Sequence, residues 1–416
     1  MLSHVRKIAS LMAGLFVLLV GHGVVGTLLG ISGSKAGFSA TELGVVMGAY
    51  SLGFIAGSRL TVRFIQRVGH IRYFAAMASA SSTVFILHGL LVDVVAWTIL
   101  RAICGFCMVG IYVAVESWLN QQAEASHRGG IFAVYMTVSM LAMAVGQVLL
   151  VLPMDDLALF ALVSILYSLG LLPIAFTRQP EPSLAQVPPV SLRVLARISP
   201  MGVAGTVAAG LIHSSFYGMA AIFALARGMD EPTIALFIGS AILGGAVTLF
   251  PVGRWSDHRD RRRTLIFILL TTALASLAML GAGGSRTITA LSGFVYGAIA
   301  FNIYALSAAH LHDYLNTSQM LAATSGLQTL YGLGSVLGPI AVGILMSFTG
   351  HEAFVAWITG IALITGIFGL YRTTRRSPIP IDEQRDHTIS ARIPSLIGES
   401  LEDPGPEDNT ALLDPP

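Results

Sequence analysis

Apolar residues run along this chain in long blocks separated by short polar segments, without the alternation that would mark strands. A helix needs roughly 20 apolar residues to cross a bilayer's hydrocarbon. Twelve blocks reach that length: 8–31, 42–65, 73–92, 95–119, 130–152 and 156–177 in the first half, then 200–226, 232–252, 264–283, 288–309, 321–346 and 353–371 in the second. The second half repeats the first. Val62-Arg63-Phe64-Ile65-Gln66-Arg67 falls on Gly253-Arg254-Trp255-Ser256-Asp257-His258. Gly105, Ile111 and Tyr112 fall on Gly297, Ile303 and Tyr304, Gly146-Gln147 on Gly338-Pro339, and His22 on His213. The pattern predicts an all-α integral membrane protein of twelve transmembrane helices in two pseudo-symmetric six-helix bundles, with its function between the bundles.

Composition agrees. With 54% hydrophobic and 11% charged residues and a mean hydropathy of +0.75, the apolar surface exceeds what a soluble core of this length could bury. Charge then orients the spans, because Arg and Lys are retained on the cytoplasmic side of short loops. With the N-terminus inside, the cytoplasmic segments hold Arg6, Lys7, Arg67, Arg72, Arg128, Arg178, Arg193, Arg197, Arg254, Arg259, Arg261, Arg262, Arg263, Arg372, Arg375 and Arg376, against Lys35, Arg227 and Arg286 outside. Both termini are therefore expected in the cytoplasm, and the net charge of +2 is a topology signal with no nucleic-acid role.

The first apolar run is too long for a secretory signal and has no convincing cleavage site, so it reads as a retained first span. The expected domains are bundles over 1–177 and 200–371, a cytoplasmic linker over 178–199 containing Pro180, Pro182, Pro188 and Pro189, and a disordered tail over 372–416. An acidic dileucine pattern at Asp408 to Leu413 is short enough to arise by chance.

Between spans eight and nine the chain reads Gly-Arg-Trp-Ser-Asp-His-Arg-Asp-Arg-Arg-Arg, from Gly253 to Arg263. An acid at a helix end beside arginines can latch two helices through charge-assisted hydrogen bonds. Asp257 is the expected acceptor, with Arg254, Arg261 and Arg262 as donors; the alternative is a set of solvated loop charges. The first-half copy has lost the acid to Gln66 and the glycine to Val62. Span four carries Arg101-Ala-Ile-Cys-Gly105, and an arginine inside a span normally faces a partner or a watery cavity. On a helix Arg101, Gly105, Met108, Tyr112 and Glu116 fall within about 80° of one another, a stripe expected to face a cavity. Arg101 and Glu116 are roughly 22 Å apart along the axis, too far to pair.

The span-eight loop and the Arg101-to-Gly105 segment resemble the signatures of the major facilitator superfamily, and Glu116-Ser-Trp-Leu-Asn120, with the adjoining loop and helix five, resembles its YcaD-like branch. The resemblance implies a transporter in which helices one, seven, four and ten line the cavity, which puts His22 and His213 on opposite walls. An imidazole titrating near pH 6.5 there could bind an anionic or aromatic substrate or carry a proton; it could equally be a neutral histidine satisfied between helices. Tyr217, one turn from His213, and the repeated Tyr112 and Tyr304 either join those walls or pack as ordinary contacts. His88 and His310 are weaker candidates. Glu116 reads as a coupling or substrate-contact acid, a gate partner or an interfacial charge. The family's antiporter signature in helix five calls for a glycine-proline pair, but Ala142, Gly146 and Gln147 stand there without the proline. Gly334, Gly338, Pro339 and Gly343 give the related pattern in helix eleven, as a rocking element or as static packing.

Cys104 and Cys107 have no nearby ligands and read as packing residues; no metal or cofactor is expected. No glycine-rich phosphate loop stands out, which disfavours an ATP-driven pump. The expected function is secondary active transport of a small organic solute by alternating access. The chain is expected to act as a monomer in a bacterial inner membrane, in contact with lipid and coupled to protons, and not as an enzyme. The alternative is a receptor or scaffold that kept the fold and stopped transporting.

Overall fold

A computed structural model describes residues 2–122, 128–175, 191–281 and 283–375. Arg178, the four linker prolines, Arg376 and the Asp408 to Leu413 pattern lie outside the described residues. The described chain contains twelve helices long and apolar enough to cross a membrane, and no strand. The first bundle comprises α1 (Leu2–Lys35), α2 (Ala40–Val68), α3 (His70–Leu90), α4 (Val94–Gln122), α5 (Arg128–Gly146) and α6 (Asp156–Ala175). Within the expected linker a short helix, α7 (Leu192–Ile198), buries Leu195 against Gly326. The second bundle comprises α8 (Pro200–Ala226), α9 (Glu231–Asp257), α10 (Arg261–Ala278), α11 (Arg286–Ala300), α12 (Ile303–His312), α13 (Thr317–Thr349) and α14 (Ala353–Thr373), with α11 and α12 forming one span.

Polar caps set several helix ends. Ser39 and Glu42 form a capping box at α2, the Asp230 side chain accepts from Thr233 N–H at α9, and Asp260 accepts from the Arg262 and Arg263 amides at α10. Each satisfies backbone donors that a helix start leaves free. The break between α11 and α12 falls at Phe301 and Asn302, and polar groups take up carbonyls beside it. Asn302 Nδ2 and Thr248 Oγ1 both donate to Ala298 O, at 2.8 and 2.7 Å, and His213 Nε2 donates to Ala300 O at 2.9 Å. Non-helical backbone at membrane depth requires such replacements.

The sequence repeat is also a packing repeat. A Cβ on Gly105 would run into Tyr50 O of α2, and one on Gly297 into Ala241 O of α9. Likewise Gly146 of α5 lies against Val20 O of α1, and Gly338 of α13 against Leu211 O of α8, 2.6 Å from where its Cβ would stand. Close backbone approach at small residues is how helices gain contact where the surrounding lipid is as apolar as their side chains.

Two faces of the molecule differ. On the near face α1 begins and α14 ends; on the far face lie the α1–α2 and α5–α6 connections. Close packing between the bundles reaches from the far face to the middle: Gly44 and Gly343 of α2 and α13 against Pro339 O and Ala40 O, Gly26 and Gly30 of α1 against Tyr217 O and Ala221 of α8, and Gly239 of α9 against Gln147 lie in the far half, while Gly332 of α13 meets Ile55 of α2 midway. Thr41 donates to Ser347 across the bundles at 2.9 Å. Lys35 Nζ adds an ionic link, 3.2 Å from Asp156 in its own bundle and 2.7 Å from Glu231 in the other.

Candidate functional site

The helices α1 and α8 are the most enclosed of the twelve spans, with 72% and 78% of their most apolar windows buried. They are inner helices, so the half-buried residues midway along them belong to the interior between the bundles. His22 stands there on α1. Its Nδ1 is 2.8 Å from the Tyr167 hydroxyl, which itself donates to Met108 Sδ at 3.0 Å. Its Nε2 stands 3.4 Å from the Tyr50 hydroxyl. Above the Tyr50 ring, 4.6 Å from its centroid, lies the Arg101 guanidinium.

His213 on α8 is held by the same logic with different partners. Its Nε2–H donates to Ala300 O, so Nδ1 is the acceptor facing the Tyr331 hydroxyl at 3.4 Å. Phe301 meets the imidazole edge-on at 5.3 Å and stacks on Tyr217 at 5.1 Å, while Tyr304 and Tyr331 are 5.1 Å apart. Both histidines thus have interhelical hydrogen bonds and sit in aromatic surroundings. Tyr50, Tyr167 and Tyr331, which complete these walls, were not among the residues singled out from sequence; they come from α2, α6 and α13, and no local motif marks them.

The span-four stripe does not serve one surface. Exposed Val95, Ile99 and Ile103 mark the lipid side of α4, and the stripe lies opposite. From there Gly105 packs on α2, Met108 receives Tyr167 of α6, buried Tyr112 lies 6.4 Å from Phe54 of α2, and Glu116 turns to α5. Glu116 is 1% exposed and accepts a hydrogen bond from the Tyr135 hydroxyl at 2.9 Å. His88 is buried in its own bundle, donating from Nδ1 to Val84 O, and buried His310 packs edge-on against Tyr314 at 5.4 Å.

On the near face Arg261 is enclosed and bonded to two acids, Asp257 of α9 at 2.6 Å and Asp313 at the end of α12. The cluster ties α9, α10 and α12 together within one bundle. Asp313 was not anticipated. Arg262 is buried and gives its amide to Asp260, whereas Arg254 lies 5.6 Å over the Phe250 ring. In place of the missing proline, Gln147 clamps α1: its Nε2 donates to Gly23 O at 2.5 Å and its Oε1 accepts from Thr27 at 2.9 Å. In α13, Gly334 and Gly338 pack on α8, while Pro339 O and Gly343 meet α2. Cys104 and Cys107 are buried and unbonded to each other. Among the described residues no three His, Cys, Asp or Glu side chains gather as metal ligands.

On the far face Asp230 and Arg286 pair at 2.7 Å. The Thr233 hydrogen bond and the Arg286 guanidinium hold the Asp230 carboxyl below its ordinary value of 3.8.

Known proteins share this organisation. An uncharacterized MFS-type transporter of Enterobacter sp. (strain 638) is 28% identical over 389 residues, covering 92% of this chain and 99% of that one. The uncharacterized MFS-type transporter YcaD of Escherichia coli O17:K52:H18 is 26% identical over 386 residues, covering 92% and 99%. Among solved structures, a bacterial homolog of the human lysosomal transporter Spinster, in an inward-facing and occupied conformation, superposes with a TM-score of 0.71 at 12% identity, covering 91% of this chain and 97% of that one. The family model for the Major Facilitator Superfamily matches residues 11–242 and 202–404. With twelve spans in two repeated bundles and a family match along nearly its whole described length, this chain is a membrane transporter belonging to the Major Facilitator Superfamily.

Proposed function

We propose that the protein is a secondary active transporter of a small organic solute, working by alternating access and coupled to protons. The observation that carries this reading is the uneven packing between the bundles. Contacts at Gly26, Gly30, Gly44 and Gly343 join them in the far half, and half-buried His22, Tyr50, Tyr217 and Tyr331 stand nearer the middle. Arg67, Arg72, Arg193, Arg197, Arg259, Arg263, Arg372 and Arg375 lie on the near face, against Lys35, Arg227 and Arg286 on the far face. The positive-inside rule makes the near face cytoplasmic, so both termini are inside a bacterial inner membrane and the site opens inward.

In this reading the bundles over 1–177 and 200–371 rock about the site as units, joined by the 178–199 linker, and the 372–416 tail is cytoplasmic. Release of the far-face contacts, including the Lys35–Glu231 link, opens the outward path. The polar groups of His22, His213, Tyr217, Tyr304 and Tyr331 bind the solute, with Arg101 holding its polar or charged end. The protein acts as a monomer.

Glu116 is the proton carrier. A carboxylate enclosed in a span is costly to keep charged, and its Tyr135 partner can donate to the ionised form. The test is solute flux in proteoliposomes with and without an imposed pH gradient. Gradient-driven uptake in wild type that loses its pH dependence in Glu116→Gln supports coupling. Unchanged dependence in the variant would remove Glu116 from that role, and no flux for any solute in a broad organic library would favour the receptor alternative.

A further inference from the structure

The cations of this molecule divide by whether an acid answers them. Arg261 has two carboxylates, Arg286 has Asp230, Arg227 has Glu352, and Lys35 has Asp156 and Glu231. Arg101 has none among the described residues, although it is 7% exposed and lies within a membrane span. Its Nε is buried with no hydrogen-bond partner there. From Nη1 it reaches only a long contact of 4.0 Å to the weak acceptor Cys104 Sγ.

A guanidinium in this setting has little access to water and no carboxylate beside it, which is unfavourable unless a partner arrives. Its planar fork matches a carboxylate bidentately. The guanidinium also caps the inner wall, covering the ring of Tyr50, whose hydroxyl meets half-buried His22. Across the bundle interface, Tyr217 stacks on Phe301 and Tyr331 meets Tyr304. These rings offer apolar faces to a flat aromatic body.

We propose that Arg101 is the docking point for a carboxylate, and that the cargo is a small organic monoanion with an aromatic body. The inference rests on the transport reading and narrows its substrate class. The missing counter-charge is supplied by the cargo, and Tyr50 holds the guanidinium flat to receive it.

The test uses matched pairs of the same shape: benzoate, phenylacetate and indole-3-acetate against their primary amides, at pH 7.5 where the acids are ionised. Binding is read as thermal stabilisation of the full-length protein in detergent, and movement as uptake into proteoliposomes. At least one carboxylate is expected to bind wild type while its amide does not. Arg101→Gln is expected to weaken that binding by about tenfold to a hundredfold, the size of a lost hydrogen bond to a charged group, with Arg101→Lys in between. The proposal is overturned if acid and amide bind equally, if none of the acids binds, or if Arg101→Gln binds as well as wild type. The wild-type acid and amide comparison stands even where a variant folds poorly. Uptake of the amides at the rate of the acids would refute the anion site and leave transport intact. Carboxylate binding without uptake would keep the site and refute transport.

Discussion

Replacing Asp313 with Asn should destabilise the second bundle more than replacing Asp257, although only Asp257 belongs to the recognisable loop motif. Both acids bond Arg261, whose side chain is 2% exposed; Asp313 is 2% exposed and Asp257 15%. A hydrogen bond to a charged group contributes about 1.5–3 kcal/mol when solvent is excluded. Asp313→Asn keeps the shape and loses the charge, so about 2 kcal/mol is expected. At Asp257 partial exposure screens the pair, and about 1 kcal/mol is a fair expectation. For a unit the size of one bundle each kcal/mol moves the midpoint by about 2–4 °C, so the two shifts should be about 4–8 °C and about 2–4 °C. Thermal unfolding followed by tryptophan fluorescence reads this directly, because Trp255 neighbours Asp257 and Trp357 lies in the same bundle. Equal shifts, or a larger one at Asp257, would refute the argument that enclosure ranks these acids.

The far face yields three further expectations. Gly44→Leu should drive a side chain into Pro339 O and Gly343, so that uptake falls more than tenfold while membrane levels hold; normal uptake would show that α2 and α13 need not close this tightly. Lys35→Gln removes exposed ion pairs worth about 0–1 kcal/mol, so it should raise far-side labelling of an introduced Ser51→Cys, one turn along α2 from Gly48, which packs on Val336 O of α13, by no more than a few-fold, with the difference fading at high salt. Buried Cys104 and Cys107 keep the labelling background low, and a difference that persisted in high salt would point to a non-ionic cause. The Asp230 carboxyl is held below its ordinary 3.8 by Thr233 and Arg286, so its stabilising contribution is present above about pH 4 and is lost as pH falls through the lowered value. Asp230→Asn should flatten that acid limb of a midpoint-against-pH curve, and an unchanged limb would assign it to other groups.

What the sequence could reveal here depended on how far apart the interacting residues lie. The spans were legible because hydrocarbon demands long apolar runs. The break at Phe301 and Asn302 was not, since neither proline nor glycine marks it and its bonds come from Thr248 and His213. Helical spacing puts Arg101, Gly105, Met108, Tyr112 and Glu116 on one stripe, expected to face a cavity, opposite exposed Val95, Ile99 and Ile103. It could not divide them, because an inner side touches several helices and α2, α5 and α6 each take a share. The same limit governs charge. Arg101 and Arg261 are both buried arginines, and one-dimensional spacing treats them alike. Only the fold brings Asp313 to Arg261 and brings no acid to Arg101 among the described residues. One guanidinium is thereby paired with acids within its bundle, whereas the other lies over the Tyr50 ring, where we propose that a carboxylate meets it.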